Sequence, residues 1–182
     1  MKIKTLLLVI CAALLLAGCA EIQINEDEYP HSSLSGRIAV SSQEEHYAAE
    51  KATQTLFWAL ENKDAETIRN MFSPYAQEHA VNLDEDIQRL IAYYPGADGE
   101  YEGAACTFES NRYGVKEISM DVLLSVNDEG IEYRYSICLY LRNDTDTSKE
   151  GVHLIEVIRE EEMQSDFFWK ESDDPPGIYV WT

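Results

Sequence analysis

Acid–base chemistry has two candidate carriers in one short run, Val152-His153-Leu154-Ile155-Glu156-Val157-Ile158. The run is apolar and reads as a strand. Alternation puts Val152, Leu154, Glu156 and Ile158 on one face, and His153, Ile155 and Val157 on the other. With the first face inward, Glu156 meets Tyr133 or Tyr135 in a low-dielectric cavity, where a raised pKa suits a general base. With the second face inward, His153 takes that place. The plainer account makes one of the two solvent-facing and the other a hydrogen-bonded core group. The spacing leaves both open.

Other reactive residue types are placed less suggestively. His31, His46, His79 and His153 show no HxH or HExxH spacing, so no metal site is expected, and no cofactor. Asp144-Thr145-Asp146-Thr147-Ser148-Lys149-Glu150 begins like a calcium loop. Lys149, however, stands where an EF-hand needs glycine, and no bidentate Glu follows on schedule, which leaves a polar hairpin tip. Asp121 shares the wet face of its strand with Glu117 and Ser119 and reads as a surface carboxylate. Glu160-Glu161-Glu162 reads as a solvated strand end. Cys138 alternates against Ile137 and Leu139, while Cys106 is in phase with Phe108, expected inside. The two thiols then sit on opposite faces and stay free.

The aromatic ending, Phe167-Phe168-Trp169 and Ile178-Tyr179-Val180-Trp181, is dense enough that docking on the sheet is the commoner explanation. The functional alternative makes Trp169, Tyr179 and Trp181 a partner-binding patch, since Tyr and Trp are favoured hot-spot residues.

The chain carries 14 Lys+Arg against 34 Asp+Glu, a formal net charge of −20. That balance argues against nucleic-acid binding, which needs clustered cations for phosphate. With 45% hydrophobic residues in a length of 182, the chain can bury one substantial core.

The N-terminus reads as an address. Met1-Lys2-Ile3-Lys4 is basic, and the apolar run Leu6 to Ala17 is too short to span a membrane but suits a signal peptide. The run ends in Leu16-Ala17-Gly18-Cys19, which resembles the lipobox of bacterial lipoproteins. The resemblance implies cleavage after residue 18 and diacylglycerol on the Cys19 thiol. The protein would then sit on the outer side of the cytoplasmic membrane, or in a periplasm if the host has two membranes. Two or more acyl chains suffice for stable anchoring without a transmembrane helix. Residues 19–42, rich in acids, Ser, Gly and Asn, read as a flexible tether with a reach of roughly 25–30 Å. Ile38-Ala39-Val40 is the one stretch in it that could dock on the domain instead.

The elements that would position any site begin at residue 43. Ser42 and Glu45 have capping-box spacing, and Ala48, Ala52, Thr55, Leu56, Ala59 and Leu60 recur at helical steps, predicting a helix to about Asn62. Asp64 caps a second helix bearing Ile68, Met71 and Phe72, stopped by Ser73-Pro74. Asp84 opens a third with Ile87, Leu90, Ile91 and Tyr94, closed by Pro95-Gly96. After Gly99 the period becomes two. Strands are predicted over Glu102–Asn111, Val115–Asn127, Gly130–Asn143 and Gly151–Glu162, joined by turns short enough for antiparallel hairpins. Ile118, Met120, Val122, Leu124 and Val126 share one face of the second strand; Ile131, Tyr133, Tyr135, Ile137, Leu139 and Leu141 share one of the third. Helices followed by a meander make an α+β fold with an antiparallel sheet of four strands or more.

The order of these pieces, from Glu61-Asn62-Lys63-Asp64 through Tyr93-Tyr94-Pro95-Gly96 to Pro176-Gly177-Ile178-Tyr179-Val180, resembles a family of small Gram-positive lipoproteins of uncharacterised function. Its domain is similar to the nuclear-transport-factor-2-like, or cystatin-like, cone, which implies N-terminal helices packed in the concavity of a curved antiparallel sheet, and the resemblance covers roughly residues 43–182. It implies a pocket that serves isomerases, dehydratases, ligand binders or dimeric interaction modules, and no catalytic motif selects among them. The expected role is a lipid-anchored domain that binds a small ligand or a protein partner. The alternatives are an acid–base pocket enzyme using Glu156 or His153 with a tyrosine, and a homodimer packed through its sheets.

Overall fold

The computed structural model describes residues 29–96, 100–164, 167 and 169–181. Strand β1 (Ser35–Ala39) leads into four helices, α1 (Gln43–Asn62), α2 (Ala65–Met71), α3 (Pro74–His79) and α4 (Leu83–Tyr93). The long strands β2 (Glu100–Arg112), β3 (Val115–Asp128), β4 (Ile131–Asn143) and β5 (Gly151–Arg159) follow, and β6 (Gly177–Val180) closes the chain. All six strands form one sheet in the order β1-β2-β3-β4-β5-β6. The four central strands are antiparallel, while β1 pairs parallel to β2 and β6 parallel to β5. The fold is α+β.

Local chemistry sets the helix ends. The Ser42 hydroxyl accepts from the Glu45 amide at 3.2 Å, and Lys63 closes α1 in the left-handed region at φ 54°. The Asp64 carboxylate accepts from the Thr67 amide at 3.0 Å and opens α2. Ser73-Pro74, read from sequence as a stop, both stops α2 and starts α3. Ser73 Oγ accepts from the Ala76 amide at 3.1 Å, and Pro74 takes a first-turn position, where its missing N–H costs nothing. Helix α3 was not predicted. Asp84, Glu85 and Asp86 occupy the first turn of α4 and complement its dipole.

The two central hairpins turn on Tyr113-Gly114 and Glu129-Gly130, all four with positive φ. Such two-residue turns match the twist of the strands they join. The helices pack on one face of the sheet. Leu56, Phe57 and Leu60 of α1, Ile68 of α2, and Ile87 and Leu90 of α4 meet Met120, Val122, Leu124, Tyr135 and Ile137 in one core. The predicted faces of β3 and β4 are largely the observed ones, but Ile131 at the strand start is 40% exposed, Ile118 and Leu141 are half-buried, and Ser119, expected on the wet face, is buried beside a register shift at Ile118/Ser119.

Three expectations are corrected. Residues 29–42 are not tether: Tyr29, Leu34 and Ile38 are buried, and β1 is an edge strand of the sheet. Gly36 permits this, because a Cβ there would lie 2.0 Å from the Tyr101 carbonyl oxygen. The folded unit therefore starts before residue 43; Cys19 and residues 20–28 lie outside the described residues. Second, Cys106 and Cys138 do not occupy opposite faces. Both are in register with Asp121, Cys106 on one side and Cys138 on the other, so all three share the face away from the helices. Both thiols are free, separated by the intervening strand rather than by the sheet's thickness. Third, Phe108 on that same face is 58% exposed, not inside. Glu160–Glu162 forms a 3₁₀ turn just after β5.

Candidate functional site

The sheet is covered twice over part of its area, and this decides where the candidate residues lie. Helices cover one face; on the other, Lys170, Ser172 and Asp174 of the C-terminal segment contact Glu156, Tyr140 and His153 before β6 joins the edge of the sheet. Glu156 is fully buried, in register with Ser136 on the tail side. Its carboxylate accepts from the Lys170 amide at 2.8 Å and from Trp181 Nε1–H at 3.1 Å. Burial pushes this carboxyl above its ordinary range, and the two donated hydrogen bonds pull partly the other way. Lys170 Nζ lies 4.6 Å from the Tyr179 ring centroid and 5.9 Å from that of Trp181.

Tyr133 and Tyr135 are on the helix side. Tyr135 is 1% exposed, its ring edge-on to Phe57 at 5.3 Å. Its hydroxyl has no hydrogen-bond partner among the described residues, and burial holds its pKa well above the ordinary phenol range. Tyr133 packs edge-on to Tyr93 at 5.9 Å. The expected meeting of Glu156 with Tyr133 or Tyr135 therefore does not occur: they point to opposite faces of one sheet.

His153 is placed differently again. Cys138 pairs with Leu154 and Leu139 with Val152, so His153 is the extra residue of a β-bulge. Its Nε2 lies 2.9 Å from the Asp174 carbonyl oxygen, and the ring is edge-on to Tyr140 at 5.6 Å. A carbonyl accepts only, so Nε2 carries the hydrogen and Nδ1 is bare. Nδ1 is buried with no partner among the described residues, and burial lowers the pKa. Glu156 and His153 both fasten the C-terminal segment to the sheet.

The aromatic tail is docked. Tyr179 stacks with Trp181 at 6.0 Å, Phe167 meets Trp169 and Trp181 edge-on at 5.0 and 5.9 Å, and the Tyr179 hydroxyl donates to the Pro175 carbonyl at 2.7 Å. Trp169, Tyr179 and Trp181 are each half-buried in these contacts. Asp121 is also partly covered, and burial raises its pKa. Among the described residues no group of three His, Cys, Asp or Glu side chains could hold a metal, and no helix is long and apolar enough to cross a membrane.

The sequence reading missed a cleft of about 540 Å³ on the helix side. One wall is the first half of α1, with Tyr47, Ala48, Lys51, Ala52 and Thr55; the second is α2, with Thr67, Asn70 and Met71. Leu139, Leu141, Gly151 and Val152 make the floor, and Glu150 stands at the rim. Ala48 and Ala52 are the physical reason for the gap, since larger residues at these helix positions would reach the sheet. Gly151, at φ 123°, lets Ser73 approach the strand, and the Ser73 amide donates to the Val152 carbonyl at 2.9 Å. That contact ties the start of α3 to β5 and fixes the neighbouring α2 wall. The signal was present as the alanines in the α1 pattern, but a space shows only when three elements meet.

The fold is thus an α+β domain with a cleft between its helices and the sheet. Residues 55–160 match the model of a family described as a domain of unknown function, DUF5104. The match spans more than half of the chain, which therefore belongs to that family. It runs from Thr55 at the cleft through β5, leaving out β1, the first half of α1 with Tyr47, Ala48, Lys51 and Ala52, and the aromatic tail. No curated protein matches the chain.

Proposed function

We propose that the chain is a lipid-anchored extracytoplasmic binding domain, held to the membrane through Cys19, whose cleft takes a small, largely apolar ligand. The observation that carries the reading is the cleft itself. Its volume of about 540 Å³ falls in the range of small-molecule sites, and its lining is apolar with a few polar groups at the edges. Helices on one face of a meander suit the nuclear-transport-factor-2-like cone that the sequence resembles, and in such a cone this is where a ligand sits.

An acid–base enzyme fits less well. Glu156 is occupied by two donors on the far face, His153 holds the tail, and Tyr135 is sealed in the core. At the cleft rim, the Glu150 carboxylate accepts from the Asn143 amide at 3.0 Å. A homodimer has one observation in its favour: Phe108 and Leu123, 58% and 41% exposed, share the tail-side face of β2 and β3. The cleft reading is tested by filling the space. Ala48→Trp should abolish small-molecule binding while the fold, read by circular dichroism, stays intact. Binding that survives in a folded Ala48→Trp protein would place the ligand elsewhere.

A further inference from the structure

Lys51 lines the cleft and makes no ion pair within 4 Å among the described residues, in a chain with 34 acids. Its ammonium lies 5.8 Å from the centroid of the Tyr47 ring, one helical turn earlier on the same wall. Of the other described lysines, Lys116 meets Glu109 at 2.7 Å and Lys170 meets Asp174 at 3.7 Å, while Lys63 and Lys149 make no ion pair among the described residues and do not line the cleft. Glu150, the carboxylate on the cleft's rim, is turned to the Asn143 amide. The cleft thus holds an apolar floor and a lysine that makes no ion pair among the described residues, with the Glu150 carboxylate at the rim held by a backbone amide.

We infer that the ligand is an amphipathic molecule with a single anionic group. The anionic group meets Lys51, and the apolar body lies on Ala52, Met71, Leu139 and Val152. This rests on the cleft being the binding site. The chemistry follows from two forces. Burying an apolar body on the floor supplies affinity without specificity. The ammonium, backed by low-dielectric walls, supplies an orienting charge worth more than it would be in open water. The protein's own net charge of −20 repels anions at long range, which disfavours a ligand with several negative charges and leaves room for one with a single charge.

The test uses two fluorescent probes that share an arene body and differ in charge, 1-anilinonaphthalene-8-sulfonate and the uncharged N-phenyl-1-naphthylamine. Both are titrated into the purified full chain, into Lys51→Met and Lys51→Arg, and into Ala48→Trp. Lys51→Met should weaken the sulfonate about tenfold and leave the neutral probe within about twofold, with Lys51→Arg restoring the sulfonate. Equal effects on both probes, or an unchanged sulfonate affinity in Lys51→Met, would overturn the anionic-ligand inference and leave the cleft standing as an apolar site. If neither probe binds the wild-type chain, or both bind Ala48→Trp as well as wild type, the cleft reading fails and this inference with it.

Discussion

Glu156 offers the sharpest test of how the domain is closed. Its carboxylate accepts from the Lys170 amide and Trp181 Nε1, and both donors belong to the returning C-terminal segment. Glu156→Ala strips both of their partner. An unsatisfied buried donor costs about 1–3 kcal/mol, and relief from burying a charge offsets part of that, so a net loss of about 2–4 kcal/mol is expected. The tail sets the ceiling, because it can lift off and give both donors to water. Urea unfolding reads the total. Hydrogen exchange at the Lys170 amide separates local release from global loss, and faster exchange there should precede exchange in β4. Glu156→Gln keeps one acceptor but turns an amide N–H₂ toward a donor, for a loss of about 1–2 kcal/mol. The pH dependence has a defined sign. Burial raises the folded pKa above the unfolded value, so the native state binds the proton more tightly. The contribution of this group to stability is therefore largest below the unfolded pKa, and falls as pH rises through the window up to the folded pKa. The wild-type chain should gain stability relative to Glu156→Gln on going from neutral pH toward pH ~4.5, near the ordinary glutamate pKa. A Glu156→Ala protein within about 0.5 kcal/mol of wild type, with Lys170 exchange unchanged, would refute the clasp.

Three further outcomes follow from the same structure. Tyr135→Phe removes a buried hydroxyl without a partner among the described residues and should stabilise the protein by about 1 kcal/mol in urea unfolding; a comparable loss would show that the hydroxyl is bonded. Gly36→Val puts a side chain against the Tyr101 carbonyl and should detach β1, exposing Leu34 and Ile38 at a cost of about 3–5 kcal/mol. Limited proteolysis should then cut within residues 29–42, and full resistance there would contradict the placement of β1. Cys19→Ala should abolish lipid labelling and membrane retention in cell fractionation; unchanged fractionation would remove the anchor from the account.

The parts of the fold written in local chemistry were legible in advance. Ser42 and Asp64 announce the starts of α1 and α2, and Gly114 and Gly130 mark hairpin turns between strands whose alternation is plain. Strand β1 was hidden because Ser35-Gly36-Arg37-Ile38-Ala39 carries one large apolar residue and takes its order from β2. Helix α3 was hidden because Pro74 punctuates in both directions. The face of Glu156 was undecidable because β5 is covered on both sides: Leu154 and Ile158 are as apolar as Ile155 and Val157, so alternation gives parity without saying which parity faces the helices. The two thiols were misplaced through Phe108, an aromatic that points outward. The cleft was illegible for a different reason, since it is defined by what Ala48 and Ala52 leave unfilled between α1, α2 and the end of β4.

Native mass spectrometry of the full chain purified from its own cells, beside Ala48→Trp prepared identically, addresses the cleft most directly. A small molecule retained by the wild-type chain and absent from a folded Ala48→Trp protein is the predicted result, and its mass would give the ligand's formula. A small molecule retained equally by both proteins, or a wild-type chain that carries none and takes up neither fluorescent probe, would contradict a binding role for the cleft.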